Sequence, residues 1–156
     1  DSPKAYLAQH ALLDQLDSLD SVPIPDYASL LPSDKDPLVN VFIGPSGTIS
    51  PLHFDPRPNF FCQIRGRKFV RLIRGRKFVR LINPKYQEDV YLNSDPMYAN
   101  SSEADFENLD FEKYPRLKEV EMEDVILEEG ECLYMPEKYF HLMRSLSPSI
   151  SVSIWI

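Results

Sequence analysis

The stretch from Ser50 to Lys68, SPLHFDPRPNFFCQIRGRK, constrains the fold more than any other part of the chain. Ile49, Leu52 and Phe54 give its first half the character of a strand. On a strand, residues i and i+2 share a face. His53 and Asp55 therefore stand side by side, an imidazole beside a carboxylate, facing inward if the strand belongs to a barrel. Pro51 and Pro56 bracket the pair. With fourteen prolines in 156 residues and few helical periodicities, the sequence favours a β-rich, loop-rich domain.

An imidazole and a carboxylate on one face are two thirds of a 2-His-1-carboxylate site, which holds a metal on three ligands and leaves positions open. A third ligand must come from far along the chain. The only histidine downstream is His141, in YMPEKYFHLMRSL, behind the turn proline Pro136 and the aromatics Tyr139 and Phe140. By itself an HxD pair is a weak signal, because a hydrogen-bonded surface pair gives the same text. His10 has no ligand-spaced partner nearby and reads as structural.

Taken in order, the chain starts with a short strand at Tyr6–Ala8. Leu12, Leu13, Leu16 and Leu19 then recur at helical spacing, which predicts a short helix over Ala11–Leu19. A proline-rich loop covers residues 21–37. Strands follow at Leu38–Ile43, Thr48–Asp55 and Asn59–Ile64, the last with Arg67–Ile73 as its hairpin partner. Residues 83–117 are polar and irregular and are expected to pack on the surface. Lys118–Met122 reads as a strand, and Ile126–Leu127 with Cys132–Met135 as a hairpin. His141–Leu146 and Ser149–Trp155 close the sheet. This pattern predicts an antiparallel β-sandwich or barrel in one domain, residues 1–156.

The net charge of −7 argues against a nucleic-acid-binding surface and suits a basic partner, such as a peptide bearing arginine or lysine; solubility alone explains it equally well. Cys62 and Cys132 lie in apolar, strand-like runs and are expected to be buried thiols rather than a disulfide framework or a zinc site. Neither a signal peptide nor a membrane-spanning stretch is visible, so a reducing compartment is the default expectation.

One feature breaks the pattern. IRGRKFVRL occurs twice in tandem, at 64–72 and 73–81. Nine is odd, so a continuous strand cannot absorb the extra copy without exchanging its faces. Either one copy leaves the sheet, or the duplication belongs to the gene model.

Five stretches carry a family resemblance. They are YLAQHALLDQL (Tyr6–Leu16), IPDY (Ile24–Tyr27), IGPSGTISPLHFDP (Ile43–Pro56), ILEEGECLYMPEKYFH (Ile126–His141) and SVSIW (Ser151–Trp155). The chain resembles the Jumonji-C (JmjC) oxygenases, in the branch described as lysine demethylases and arginyl hydroxylases. The resemblance covers nearly the whole chain, and ungapped matching on both sides is restored when nine residues of the repeat are removed. It implies a mainly all-β double-stranded β-helix, the cupin or jelly roll, with a short N-terminal helix. It also implies truncation at the N-terminus, because the family's catalytic domain begins upstream of the residue matching Asp1.

By the same resemblance, Fe(II) would be held by His53, Asp55 and His141, with 2-oxoglutarate as co-substrate and O2 as oxidant. Tyr6, Ser50 and Asn59 match residues that bind 2-oxoglutarate. Its distal carboxylate would meet a lysine, Lys68 counted from His53 or its copy Lys77 counted from downstream. Gln9, Phe42 and Trp155 match substrate-side positions. Phe42, Phe140 and Ile156 each stand where relatives carry tryptophan, which alters the pocket's shape. The implied activity is hydroxylation of a peptidyl arginine or demethylation of a methyl-lysine, on a protein partner that could be a histone or chromatin-associated, in nucleus or cytoplasm. Two other readings remain open: a catalytically impaired cupin-type binding module, and a cupin that uses the triad for manganese or zinc.

Overall fold

The computed structural model describes residues 5–17, 25–26, 36–64 and 77–156, and only the backbone for 77 and 78. Lys68 and most of the first copy of the repeat lie outside the described residues. The strands are β1 (Leu7–His10), β2 (Leu38–Gly44), β3 (Ile49–Phe54), β4 (Asn59–Gln63), β5 (Lys77–Ile82), β6 (Glu123–Leu127), β7 (Cys132–Met135), β8 (Phe140–Ser145) and β9 (Ser149–Trp155). They form two antiparallel sheets, ordered β1-β2-β9-β4-β7 and β3-β8-β5-β6. The expected jelly-roll sandwich is what the chain forms.

Alternation along the strands sorts the side chains into layers. Between the sheets, Phe61 and Met135 of the first meet Val79, Leu127 and Met143 of the second. Ile150, Val152 and Ile154 of β9 point the other way, joining Val41, Phe60 and Ile156 under Leu12 and Leu13 of the short helix α1 (Leu12–Gln15). The intervening Ser149, Ser151 and Ser153 face inward and are buried. A third cluster covers the outer face of the second sheet. There Leu52, Ile82, Phe140 and Leu142 pack against Val90, Ala104, Phe106 and Leu117.

That third cluster corrects the expectation for residues 83–117. The excursion is not a surface dressing; it supplies a core, and full burial of a side chain such as Phe106 stabilises by roughly 1.5–3 kcal/mol. It is fixed to the second sheet by Arg80, which donates two hydrogen bonds to Asp124 and one to the Phe106 carbonyl. It also closes the free edge of β3: Ser102 N–H donates to the Leu52 carbonyl, and Phe54 N–H to the Asn100 carbonyl.

Other elements differ from expectation for identifiable reasons. The helix stops at Gln15, with Asp17 at φ 50° ending the run. Lys118–Met122 is not a strand, because Pro115 opens a 3-10 helix over Pro115–Glu119 and β6 begins only at Glu123. β6 and β7 are not a hairpin; they lie in different sheets. The expected hairpin partner of β4, Arg67–Ile73, lies outside the described residues; the partners that β4 has are β9 and β7. It is the second copy of the repeat that supplies β5, from Lys77 onward. Cys132 is exposed and Cys62 half-buried, so the expectation of two buried thiols fails.

Candidate metal centre

His53 and His141 come from neighbouring antiparallel strands and are paired directly across β3 and β8. The register between them holds a bulge. Ser50 pairs with Met143 and His53 with His141, so three steps on β3 match two on β8. Residues three apart on a regular strand point to opposite faces; a bulge puts them on the same face. Pro51, lacking an N–H, sits where the ladder is broken. Ser50, His53 and Asp55 thereby all reach the space between the sheets.

His53, Asp55 and His141 offer one ligand atom each, and these atoms lie within 4.8 Å of one another. His53 Nε2 is 3.9 Å from Asp55 Oδ1, and His141 Nε2 is 3.6 Å from Asp55 Oδ2. Each imidazole donates from Nδ1 to a backbone carbonyl, His53 to Pro51 at 2.7 Å and His141 to Tyr139 at 3.1 Å. A carbonyl only accepts, so the Nδ1–H tautomer is selected and the Nε2 lone pair is left for a ligand. The carboxylate is oriented as well. Asn59 donates from Nδ2 to Asp55 Oδ2 at 3.0 Å, and Ser153 donates to Asn59 Oδ1 at 2.8 Å.

Burial governs the protonation of these groups. His141 is 3% exposed, and burial, reinforced by the neighbouring His53, lowers its pKa to about 3, leaving a neutral imidazole. Burial also raises Asp55 above the usual carboxylate range, against the opposing pull of His53 and the Asn59 amide. Such a set, two Nε2 lone pairs and a costly buried carboxylate, is suited to a divalent cation.

The cluster opens into a cavity of about 340 Å³ lined by Tyr6, Ser50, Asn59, Phe42, Gln9 and Trp155 among others. That volume suits a small ligand. Tyr6 Oη lies 3.4 Å from Ser50 Oγ, and burial raises its pKa. Gly44 makes room for this ring: a Cβ there would approach Tyr6 Cδ2 at 2.7 Å. Trp155 Nε1–H is buried without an acceptor in hydrogen-bond geometry among the described residues, although it is near enough to Asp55 to favour the carboxylate form. Lys77 opens β5, paired with Leu127 and Ser145 and in phase with Val79 and Leu81.

Several contributors were missed in the sequence. Ser101, from the long excursion, bridges His53 and lines the cavity. Deeper between the sheets runs a buried polar row. Thr48 donates to Ser145, Ser145 and Ser149 share a hydrogen bond, and Ser151 donates to Gln63 Oε1. Gln63 is 1% exposed, and its Nε2 has no partner among the described residues. The alternation Ser-Ile-Ser-Val-Ser-Ile-Trp in β9 was the available signal, but it reads equally as polar-out.

Fold and site together define a jelly-roll cupin with a His-Asp-His cluster at the mouth of its interior. The chain belongs to the cupin-like domain family, whose model matches residues 1–156, and its relatives are JmjC proteins. It is 43% identical over 152 residues to Lysine-specific demethylase JMJ30 of Arabidopsis thaliana, covering 96% of this chain and 33% of that protein. It is 39% identical over 153 residues to Jumonji C domain-containing protein 5 of Drosophila melanogaster, covering 96% and 36%. With Lysine-specific demethylase 8 of Danio rerio it shares 38% over 152 residues, covering 96% and 35%. The chain spans about a third of the length of these curated relatives. No helix among the described residues is long and apolar enough to cross a membrane.

Proposed function

We propose that this chain is the catalytic cupin, residues 1–156 forming one domain, of an Fe(II)- and 2-oxoglutarate-dependent oxygenase acting on an arginine or a methyl-lysine of a protein substrate. One observation carries the reading: two imidazoles with Nδ1 tied to carbonyls turn their Nε2 atoms toward one carboxylate, itself oriented by Asn59. His53, Asp55 and His141 would hold the metal, which when bound supplies the activation of dioxygen. The cavity beside them would take 2-oxoglutarate, with Tyr6 and Ser50 as hydroxyl partners. Lys77 is assigned as the cation for the distal carboxylate, supported by its register opposite Ser145. A buried carboxylate needs such a charge partner. Gln9, Phe42 and Trp155, which also line the cavity, are assigned to the substrate. The relatives named lysine demethylases support a lysine-bearing substrate, and a nuclear or cytoplasmic setting is part of the same proposal.

The test is succinate formation from 2-oxoglutarate with iron and ascorbate, alone and with arginyl or methyl-lysyl peptides. Iron-dependent succinate that rises with one peptide supports the reading. A gain of oxygen on the peptide means hydroxylation, and loss of a methyl group with formaldehyde means demethylation. Absence of iron-dependent succinate under every condition, in a chain that binds metal, would leave the cupin as a binding module.

A further inference from the structure

Cys62 and Cys132 face one another on the side of the first sheet turned away from the metal cluster. They are direct partners in the β4–β7 ladder. Gln63 N–H donates to the Glu131 carbonyl, so the neighbouring Cys62–Cys132 pair occupies a non-hydrogen-bonded position. At such positions facing side chains approach most closely, with Cα atoms about 4.5 Å apart, inside the ~4.4–6.8 Å window of protein disulfides. The two Sγ atoms are 2.8 Å apart, with Cys62 donating to Cys132. Cys132 is exposed on the edge strand β7, and Cys62 is half-buried beside Phe60 and Val152. Neither thiol belongs to a group of three metal-ligating side chains among the described residues.

We propose that Cys62 and Cys132 form an oxidisable dithiol, a modification site at which a peroxide closes an intrachain disulfide between β4 and the edge strand β7. The geometry assigns the two sulfurs different parts. Cys132 is the accessible one, and the S–H of Cys62 lowers its pKa, whereas the same contact raises that of Cys62. A thiolate is the attacking species. Cys132 Sγ attacks one peroxide oxygen; an S–O bond forms, the O–O bond breaks, and hydroxide leaves to take up a proton as water. Cys62 Sγ then attacks the Cys132 sulfenic sulfur, giving up its proton; the S–S bond forms and the S–O bond breaks, releasing a second water. The peroxide is reduced by two electrons and the two thiols are oxidised by two. No backbone rearrangement is needed, because the ladder already holds the partners in register.

The bond would act on the site from behind. β4 carries Asn59, which orients Asp55, and β7 runs into the turn that delivers His141. Among the described residues, β7 is paired on one side only, by β4. A covalent bridge there closes a loop from residue 62 to 132, which stabilises chiefly by restricting the unfolded chain.

The experiment uses the full chain, reduced and then exposed to stoichiometric hydrogen peroxide. The expected product is monomeric, 2 Da lighter, with the peptides containing Cys62 and Cys132 joined in a non-reducing map. Dithiothreitol should restore the thiols, and the oxidised form should melt several degrees higher. In Cys62→Ser, a sulfenic acid at Cys132 should persist and be trapped by dimedone. In Cys132→Ser, Cys62 should remain unmodified at the same dose. Both substitutions conserve size, and circular dichroism reports whether each variant folds. Disulfide-linked dimers, over-oxidation without an internal crosslink, or equal reactivity of Cys62 in Cys132→Ser would each overturn the proposal.

Discussion

His53 and His141 lie against each other across the β3–β8 ladder with ring centroids 4.3 Å apart and planes tilted by 55°, each Nδ1 held by the backbone carbonyl two residues before it. The two rings thus share a tautomer, and each is fixed in place, before any ligand arrives. They are also too close to carry two positive charges comfortably.

Burial of His141, reinforced by that closeness, predicts a pH dependence for the metal-free protein. The folded pKa of His141, about 3, lies below its ordinary value of 6.5. The unfolded chain therefore binds more protons between these values. The stability contributed is complete above pH 6.5 and is lost as pH falls toward 3, at up to about 1.4 kcal/mol per pH unit. Asp55, raised by burial, works the other way, gaining stability as it protonates. Urea unfolding in a chelator at pH 7.5, 6.5 and 5.5 should show declining stability, and His141→Gln should flatten the curve. Equal slopes in both proteins would refute this account.

The Ser153–Asn59–Asp55 chain predicts a graded loss of metal. Asp55→Ala should abolish metal binding and turnover while leaving the fold intact. Asn59→Ala removes only the orienting amide and should weaken metal affinity about 10–100-fold. Titration with iron or cobalt monitored spectroscopically would measure both. Wild-type affinity in Asn59→Ala would show that the carboxylate needs no such support.

Gly44 predicts an indirect effect on the co-substrate. The added methyl of Gly44→Ala meets the Tyr6 ring and Thr48, so the ring must move. Overpacking of this kind costs about 1–3 kcal/mol. We expect a lower Tm and a several-fold higher 2-oxoglutarate requirement, with metal affinity unchanged because no ligand is touched. A changed metal affinity with normal co-substrate binding would reverse the assignment of Tyr6.

Two lysines of identical local sequence offer an internal control. Lys77→Ala should raise the 2-oxoglutarate requirement sharply, since Lys77 opens β5 opposite Ser145. Lys68→Ala should do little. Small, equal effects on the concentration needed for half-maximal turnover would count against a lysine partner on β5.

Deletion of nine residues from the repeat, which yields the same chain whichever copy is removed, should raise thermal stability and preserve co-substrate binding. β4 and β5 would then be joined by residues 64–67, enough extended chain to reach across the ~10 Å between packed sheets. Unfolding of the shortened protein would mean that both copies are structural.

Much of this was legible in the chain because alternation is a local property. β9 matches its expected bounds, and β2, β3, β4 and β8 lie within a residue or two of theirs, each being a short β-prone run between turn signals. The convergence of His53, Asp55 and His141 was legible from the HxD spacing and the single downstream histidine. What stayed hidden depends on partners distant in sequence. The inward aim of Ser50 needs the bulge opposite Leu142; the contribution of Ser101 needs the excursion to return to β3. Phe106 and Val90 sit in polar text that carries no periodicity, so their burial could not be read. The thiols were misjudged because Cys62↔Cys132 pairing joins strands 70 residues apart.

The tandem copies have a consequence beyond stability. In an ordinary sequence, sliding a strand by nine residues exchanges its faces; here it brings back the same residue types in the same order. Lys68–Ile73 could occupy the place of Lys77–Ile82 with identical chemistry at every rung, and only the position of the surplus length would differ. The structure selects the downstream copy, where Asn83 caps the next helix and hydrogen-bonds the Tyr139 hydroxyl. Those small anchoring contacts, rather than the core itself, separate two nearly degenerate threadings, so this chain carries a frustration that its core cannot resolve.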